Sequence, residues 1–390
     1  MRSAESKSLD TAARLAPRIQ ELAVCRSTPE LLAHPLYREI QPQIREVLET
    51  PQTGSFARGA ASCKRRYRVL AWNIERGTQF EGQLTALREH PYLSTCDVLL
   101  LTETDLGMAR SGNRDVAQGL ARELGMHYAF APCYWSLVKG SGVERYVDGE
   151  NEIGLHGNAV LSRYPIARAR PVPLKNGVDK MATREQRIGR QTALEVDIAF
   201  PDFTAAMTCV HLDANSSQGH RARQMRDVVT ALNGLPAVIG GDWNTTTFNS
   251  STAFRAILGY WQRVFMGADN VIRNHYLHPY RRFERELFET LERAGFDYRS
   301  SNAQGEHTIY YSFDNERTFQ GLAEWVPLWC FPFMRWALRS HGGGCPLKLD
   351  WFATRGLPCE NPAVVHDVRE GRAAPLSDHD AIGIDIGSPS

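Results

Sequence analysis

From Tyr67 onward, short apolar runs rather than long helical stripes dominate the chain. YRVLAWNI and CDVLLLTET are unbroken apolar stretches of strand length separated by amphipathic segments, which predicts strands buried on both faces or lying in a sandwich core. Residues 1 to about 65 have a different texture. Leu15, Ile19 and Leu22 fall at helical spacing, as do Ile40, Ile44, Val47 and Leu48, so this part is expected to be a helical arm, ended by the Pro/Gly/Ser stretch PQTGSFARGAAS. Between Ser216 and Gly234, Met225, Val228, Val229 and Leu232 share one face, predicting a helix that Gly234 ends and whose Arg221, Arg223 and Arg226 form its solvated side. The next run, LPAVIGGDWN, predicts a core strand that delivers Asp242 and Asn244 at its C-terminal end. From about 249 to 344 aromatic and basic residues are dense, and this stretch reads as an insertion carrying one helix through Phe283, Leu287, Phe288 and Leu291. LKLDWFAT and AIGIDI are expected to be the final strands.

Composition narrows the class. At 390 residues, 43% hydrophobic and 23% charged, the chain is neither disordered nor fibrous. Lys+Arg number 45 and Asp+Glu 44, and a net charge of +1 disfavours a nonspecific coater of DNA. The eight cysteines lack CxxC spacing, which argues against a zinc ribbon or a thioredoxin motif and favours free thiols in a reducing compartment. The first residues are charged throughout, without the apolar core of a signal peptide, so the cytoplasm is the expected location. No stretch approaches the roughly 20 apolar residues of a membrane span. The nearest, Trp325 to Trp336, is interrupted by Pro327 and Pro332; it reads first as packing of the insertion onto the domain, and second as a peripheral membrane contact.

Polar clusters stand at the ends of the predicted strands: Asn73 and Glu75 in AWNIERG, Glu103 in LLLTETD, His211 in TCVHLDA, Asp242 and Asn244 in GGDWNT, and Asp378 and His379 in LSDHD, with Asp350 in KLDWF. Carboxylates, amides and few imidazoles make an oxygen-rich pocket, which selects Mg²⁺ or Mn²⁺ over zinc and so points to a phosphate substrate. Any one of these pieces alone has an ordinary explanation, since Gly-Asp makes turns and Ser-Asp caps elements. His156 and Asn158 in GLHGNAVLSRYPI are read as such a turn, with Asn158 kept as a site neighbour.

In their order, WN, TE, HGNAVLSRYPI, VHLDA, GDWN, LDWF and SDHD, the motifs make residues 66 to 386 resemble the endonuclease/exonuclease/phosphatase superfamily, whose members include deoxyribonuclease I, apurinic endonucleases, neutral sphingomyelinases and inositol polyphosphate 5-phosphatases. The resemblance implies an α/β fold, a two-layer sandwich of two packed mixed sheets with outer helices, like deoxyribonuclease I. It implies that Glu103 binds a metal with Asn73, and Glu75 as a further candidate, nearby, and with Asp378 contributing from the last motif. Asp242 and Asn244 would position and activate water, and His379, oriented by Asp350, would contact the scissile phosphate. His211 matches the position at which the deoxyribonuclease I and sphingomyelinase branches carry a catalytic histidine. One departure is Thr102, where the family often has Gln before the metal-binding Glu. The activity implied is Mg²⁺- or Mn²⁺-dependent hydrolysis of a phosphodiester or phosphomonoester by direct water attack. Nucleic acid, a phospholipid headgroup and an inositol phosphate stand as substrates, and a catalytically inactive binding module on the same fold is the alternative.

Overall fold

The computed structural model describes residues 4–59, 62–245, 249, 252–312, 329 and 331–389. Two mixed sheets face one another. The larger runs β1 (Gln52–Ser55), β4 (His127–Ser136), β5 (Leu155–Ser162), β3 (Val98–Leu106), β2 (Tyr67–Arg76), β15 (Ala381–Ile386), β14 (Cys359–Val365), with β7 (Arg187–Gly189) paired to β4. The smaller runs β13 (Asp350–Arg355), β10 (Ala237–Asp242), β9 (Thr204–Cys209), β8 (Thr192–Ala199), β6 (Ile166–Pro173). One parallel pairing lies in each, β2 with β3 and β9 with β10.

The unbroken apolar runs follow from burial on both faces. On β2, Val69 and Ala71 pack between the sheets against Leu194, Val196, Met207, Val238 and Phe352. The alternate residues Leu70 and Trp72 face outward, into a core completed by α4 (Phe80–Glu89) and α5 (Val116–Leu124). Leu15 and Ile19 of α1 (Ala4–Gln20) and Ile40, Ile44 and Val47 of α3 (Pro35–Glu49) join that same core, so the N-terminal helices pack on the outer face of the large sheet. The stretch expected as an arm also supplies β1, which pairs with β4 from Gln52 to Ser55.

On the outer face of the smaller sheet, α6 (Gln218–Ala231) and α9 (Arg285–Arg293) cover Ile239, Trp351 and Ala353. Ser217 caps α6 by accepting the His220 amide, and the helix stops at Ala231, three residues before Gly234. Arg223 and Arg226 are exposed, but Arg221 corrects the solvated-side reading: it is fully buried and ion-paired to the equally buried Glu284. The reason is α9, which follows Glu284 and turns that flank of α6 into a helix–helix interface. The stretch 249–344 thus contributes α9 to the core. It also supplies the outlying helices α7 (Ala253–Met266) and α10 (Phe331–Leu338) and the small sheet of β11 (Ile309–Ser312) with β12 (Gly344–Leu347). Of Trp325 to Trp336, residues 325–328 and 330 lie outside the described residues; Phe331 is buried, while Trp329, Phe333 and Trp336 are exposed.

Candidate active site

Sheet register brings the polar clusters to one end of the sandwich. Asp242 ends β10 directly opposite Asp350, which begins the antiparallel β13. β15 is antiparallel to β2, with Ile382 opposite Ala71, so the residues just before it, Asp378 and His379, fall beside the end of β2 that carries Asn73. Glu103 lies on the neighbouring β3, and His211 follows β9.

At this level the ladders are deliberately irregular. The β2–β3 register slips between Asn73 and Arg76, and the β3–β5 register slips between Leu101 and Thr104. Glu75, Arg76, Glu103 and Asn244 all have positive φ, from 45° to 66°. Bulges re-aim side chains, and positive φ at a non-glycine residue costs on the order of 1–3 kcal/mol, which the surrounding sheets must offset. Before Asp242, Gly241 has a φ of 133°, and a Cβ there would meet the Val210 carbonyl oxygen at 2.3 Å, so only glycine lets β10 turn into the site.

Asp242 Oδ2 is the focus. It accepts from Asn73 Nδ2 at 3.2 Å and lies 3.6 Å from His211 Nε2 and 3.8 Å from His379 Nε2. Its other oxygen accepts the Asn244 backbone amide at 2.9 Å, and the Asn244 side chain donates to the Leu212 carbonyl at 2.9 Å. Behind His379, Asp350 Oδ2 sits 2.8 Å from Nδ1. The Ser377 hydroxyl donates to the Asn73 carbonyl and accepts the His379 amide, fastening the last motif to β2.

Burial and charge set the protonation states. Burial alone would lower the His379 proton affinity, but Asp350, Asp242 and Asp378 outweigh it and raise it well above that of an ordinary imidazole. Burial, reinforced by Asp350, pushes the Asp242 carboxyl above the usual carboxylate range against the pull of His379 and His211. For Glu103, burial is overcome by Arg76 and by His211, His156 and His379, which hold the carboxylate ionised.

Asp242, Asp350 and His379 bring ligand-type atoms within 4.8 Å of one another. Glu103 and Asp378 stand outside that group: Asp378 is exposed at the rim, and Glu103 faces Arg76 at 3.5 Å. The Glu75 backbone amide donates to Asn73 Oδ1 at 3.0 Å. Glu103, held ionised, and Asn73 stand on the paired strands β3 and β2 and offer hard oxygen donors, so the residues present fit a hard divalent cation.

Some neighbours had no clear sequence signal. Arg76 bridges Glu103 and Glu144, the latter at 3.1 Å; only its place one residue past the WNIE run could have marked it. His156, expected in a turn, instead lies inside β5, buried, with Nδ1 2.7 Å from Asp105, a carboxylate also held by the buried Arg110. Asn158 donates to the Thr192 carbonyl, across to the second sheet, at 2.7 Å. Tyr311 lies on β11, whose Ile309 bridges to His379, and burial, then Asp378 and Asp242, push its phenol up.

A model of the Endonuclease/Exonuclease/phosphatase family matches residues 70–379. No curated protein sequence matches the chain. Among solved structures, an endonuclease/exonuclease/phosphatase from Beutenbergia cavernae DSM 12333 is 16% identical with a TM-score of 0.50, covering 84% of this chain and 72% of that one; at that identity the likeness concerns the fold alone. A family protein from Leptotrichia buccalis C-1013-b is 12% identical with a TM-score of 0.46, covering 82% of this chain and 99% of its own. The catalytic domain of human Nocturnin with bound sulfate anion is 16% identical with a TM-score of 0.43, covering 87% of this chain and 98% of its own.

Proposed function

Because the chain belongs to the endonuclease/exonuclease/phosphatase family, whose members hydrolyse phosphate esters, we propose that it is a Mg²⁺- or Mn²⁺-dependent phosphoesterase that works by direct attack of water. The observation that carries this reading is the convergence of Asn73, His211 and His379 on one oxygen of Asp242, with Asp350 behind His379. In the proposed reaction Asp242 holds the attacking water and takes its proton as the oxygen–phosphorus bond forms. Its raised proton affinity favours taking a proton from that water. Asn244 fixes the Asp242 carboxylate through its backbone amide. His379, kept cationic by Asp350, stabilises charge on the phosphoryl oxygens while the bond to the leaving oxygen breaks; His211 flanks the same carboxylate from the other side. Glu103 and Asn73, with Asp378 at the rim, would hold the cation, which when bound neutralises negative charge on the phosphate. Incubating the purified protein with plasmid DNA, RNA, sphingomyelin and inositol phosphates, with Mg²⁺ and with EDTA, tests this. Turnover of one of them that stops in chelator is expected; full turnover in EDTA overturns the metal, and no turnover of any supports the inactive binding module.

A specific observation favours a substrate presented at a membrane surface. Phe254, Leu258 and Phe265 of α7 are 70%, 54% and 85% exposed, and Trp329, Phe333 and Trp336 are 56%, 55% and 61% exposed. Trp261 stacks on Trp329 at 6.3 Å, so α7 and Trp329 meet, and exposed aromatic and aliphatic side chains of this kind enter a bilayer interface. Sedimentation with phosphatidylcholine and phosphatidylserine vesicles should carry wild type down more than Trp329→Ser with Phe333→Ser, and equal partition of both sinks the membrane reading. Among the described residues no helix is long and apolar enough to cross a membrane. We place the protein in the reducing cytoplasm, a setting that the unpaired described cysteines support.

A further inference from the structure

Beside the pocket lies a second cluster of metal-type ligands, which no step above uses. Glu306, His307 and His366 each offer a ligand atom, and these atoms lie within 4.8 Å of one another. Two imidazoles with one carboxylate differ in kind from the oxygen-rich pocket, because such a set suits zinc or a similar borderline transition cation.

The geometry around His366 is that of a prepared ligand. Its Nδ1 sits 2.8 Å from Asp380 Oδ2, leaving Nε2 turned toward Glu306 Oε2 at 3.4 Å. Asp380 is itself buried and held by two Arg369 contacts at 2.8 and 3.0 Å. A carboxylate bonded to the far nitrogen fixes the imidazole tautomer and orientation that a metal requires. The His307 ring stacks on His366 with centroids 4.6 Å apart, and Glu370 lies 3.5 Å from His307 Nε2, in place to supply a further oxygen. Arg369 Nη2 is 3.2 Å from that same nitrogen, so a cation bound there replaces the guanidinium contact to His307 while Arg369 keeps Asp380. Glu306 is exposed and both histidines are partly so, which leaves the cluster open to an ion from solution.

We propose that Glu306, His307 and His366, closed by Glu370, form a zinc-type transition-metal site separate from the catalytic pocket. Its position gives it a structural purpose. Thr308, next to His307, accepts the Asp380 amide through its carbonyl at 2.8 Å, and its hydroxyl accepts the Leu349 and Asp350 amides at 3.0 and 3.1 Å. One residue further on, Ile309 pairs with His379. A cation bridging His307 to His366 therefore clamps the backbone that carries both members of the His379–Asp350 pair.

The test is calorimetric titration of the whole chain with Zn²⁺ in saturating Mg²⁺, which occupies oxygen ligands, followed by the visible spectrum of the Co²⁺-loaded protein. Wild type and Glu103→Gln should take up one equivalent and show a cobalt band; His307→Gln and His366→Gln should each lose both, with circular dichroism checking that the variants are folded. The proposal is overturned if folded wild type binds no Zn²⁺ under these conditions. It is equally overturned if the equivalent survives in both histidine variants, or if Asp242→Asn abolishes it while they keep it.

Discussion

Two histidines of this protein lean on aspartates in nearly the same way. His379 Nδ1 is 2.8 Å from Asp350 and its Nε2 is 3.8 Å from Asp242; His366 Nδ1 is 2.8 Å from Asp380 and its Nε2 is 3.4 Å from Glu306. In both, the carboxylate behind raises the imidazole's proton affinity. They diverge in burial and in what else the far nitrogen meets. His379 is 6% exposed by side chain and faces an oxygen on which His211 and Asn73 also converge, whereas His366 is 27% exposed at the flank. A histidine–aspartate pair is therefore not in itself a catalytic signature. What separates a reacting site from an anchoring one is the third group and the water it excludes.

The largest expected effect breaks the pairs apart by function. Asp242→Asn and His379→Gln should each lower kcat on the order of 10²-fold or more, with the double variant barely worse than the worse single, because the two act on one transition state. His366→Gln should stay within about twofold of wild type. Equal losses at His366 and His379 would erase the distinction. Asp242→Asn should leave Tm unchanged or slightly higher, since it relieves a buried carboxylate lying opposite Asp350.

Next in size is the exchange of the two aspartates. Asp350→Asn removes what keeps His379 cationic, and its cost should fall on kcat. Asp380 has a fully buried side chain and answers both Arg369 and His366, so Asp380→Asn breaks a buried ion pair; urea unfolding should show a loss of about 3 kcal/mol with kcat per folded molecule little changed. A stable Asp380→Asn with crippled turnover would reverse the two assignments. Third, Glu103→Gln should raise the Mg²⁺ needed for half-maximal rate about tenfold, and an unchanged requirement would remove Glu103 from the metal.

This contrast also explains what was legible in the sequence. SDHD places Asp378, His379 and Asp380 together, and β15 begins where AIGIDI begins, because an apolar run after a polar cluster is a strand delivered to a site. The core strands were legible for the same reason, since strands buried on both faces leave no polar alternation to misread, whereas their arrangement as a two-sheet sandwich came from the resemblance. His366 was not, since nothing in VVHDVREG announces that Asp380 will fold back onto it across a turn. Arg221 was misread because amphipathic periodicity shows which side of α6 faces the sheet but not that a second helix, distant in the chain, covers its flank. Arg76 and Glu103 sit on bulges, and a bulge changes a side chain's direction without any periodicity to betray it.

The smallest effect sharpens the comparison through pH. For His366, the hydrogen bond it donates to Asp380 raises the proton affinity against the opposing effect of burial, while burial and the neighbouring His366 lower that of His307. A histidine whose folded value is raised contributes stability that is fully present below its unfolded value, near pH 6.5, and lost as pH rises through the folded value. Because His366 is partly exposed, solvent screening should keep the contribution under about 1 kcal/mol. His307 acts with the opposite sign, so the wild-type curve alone hides both. The informative quantity is the difference between wild type and His366→Gln, followed by urea unfolding in chelator from pH 5.5 to 8.5, and it should shrink as pH rises. For His379→Gln the same difference should persist further into the alkaline range, because three carboxylates hold that imidazole's proton more firmly. If the His366 difference stays flat across the range, the imidazole is not a titrating partner of Asp380; if both differences fade together, burial has not separated the two pairs.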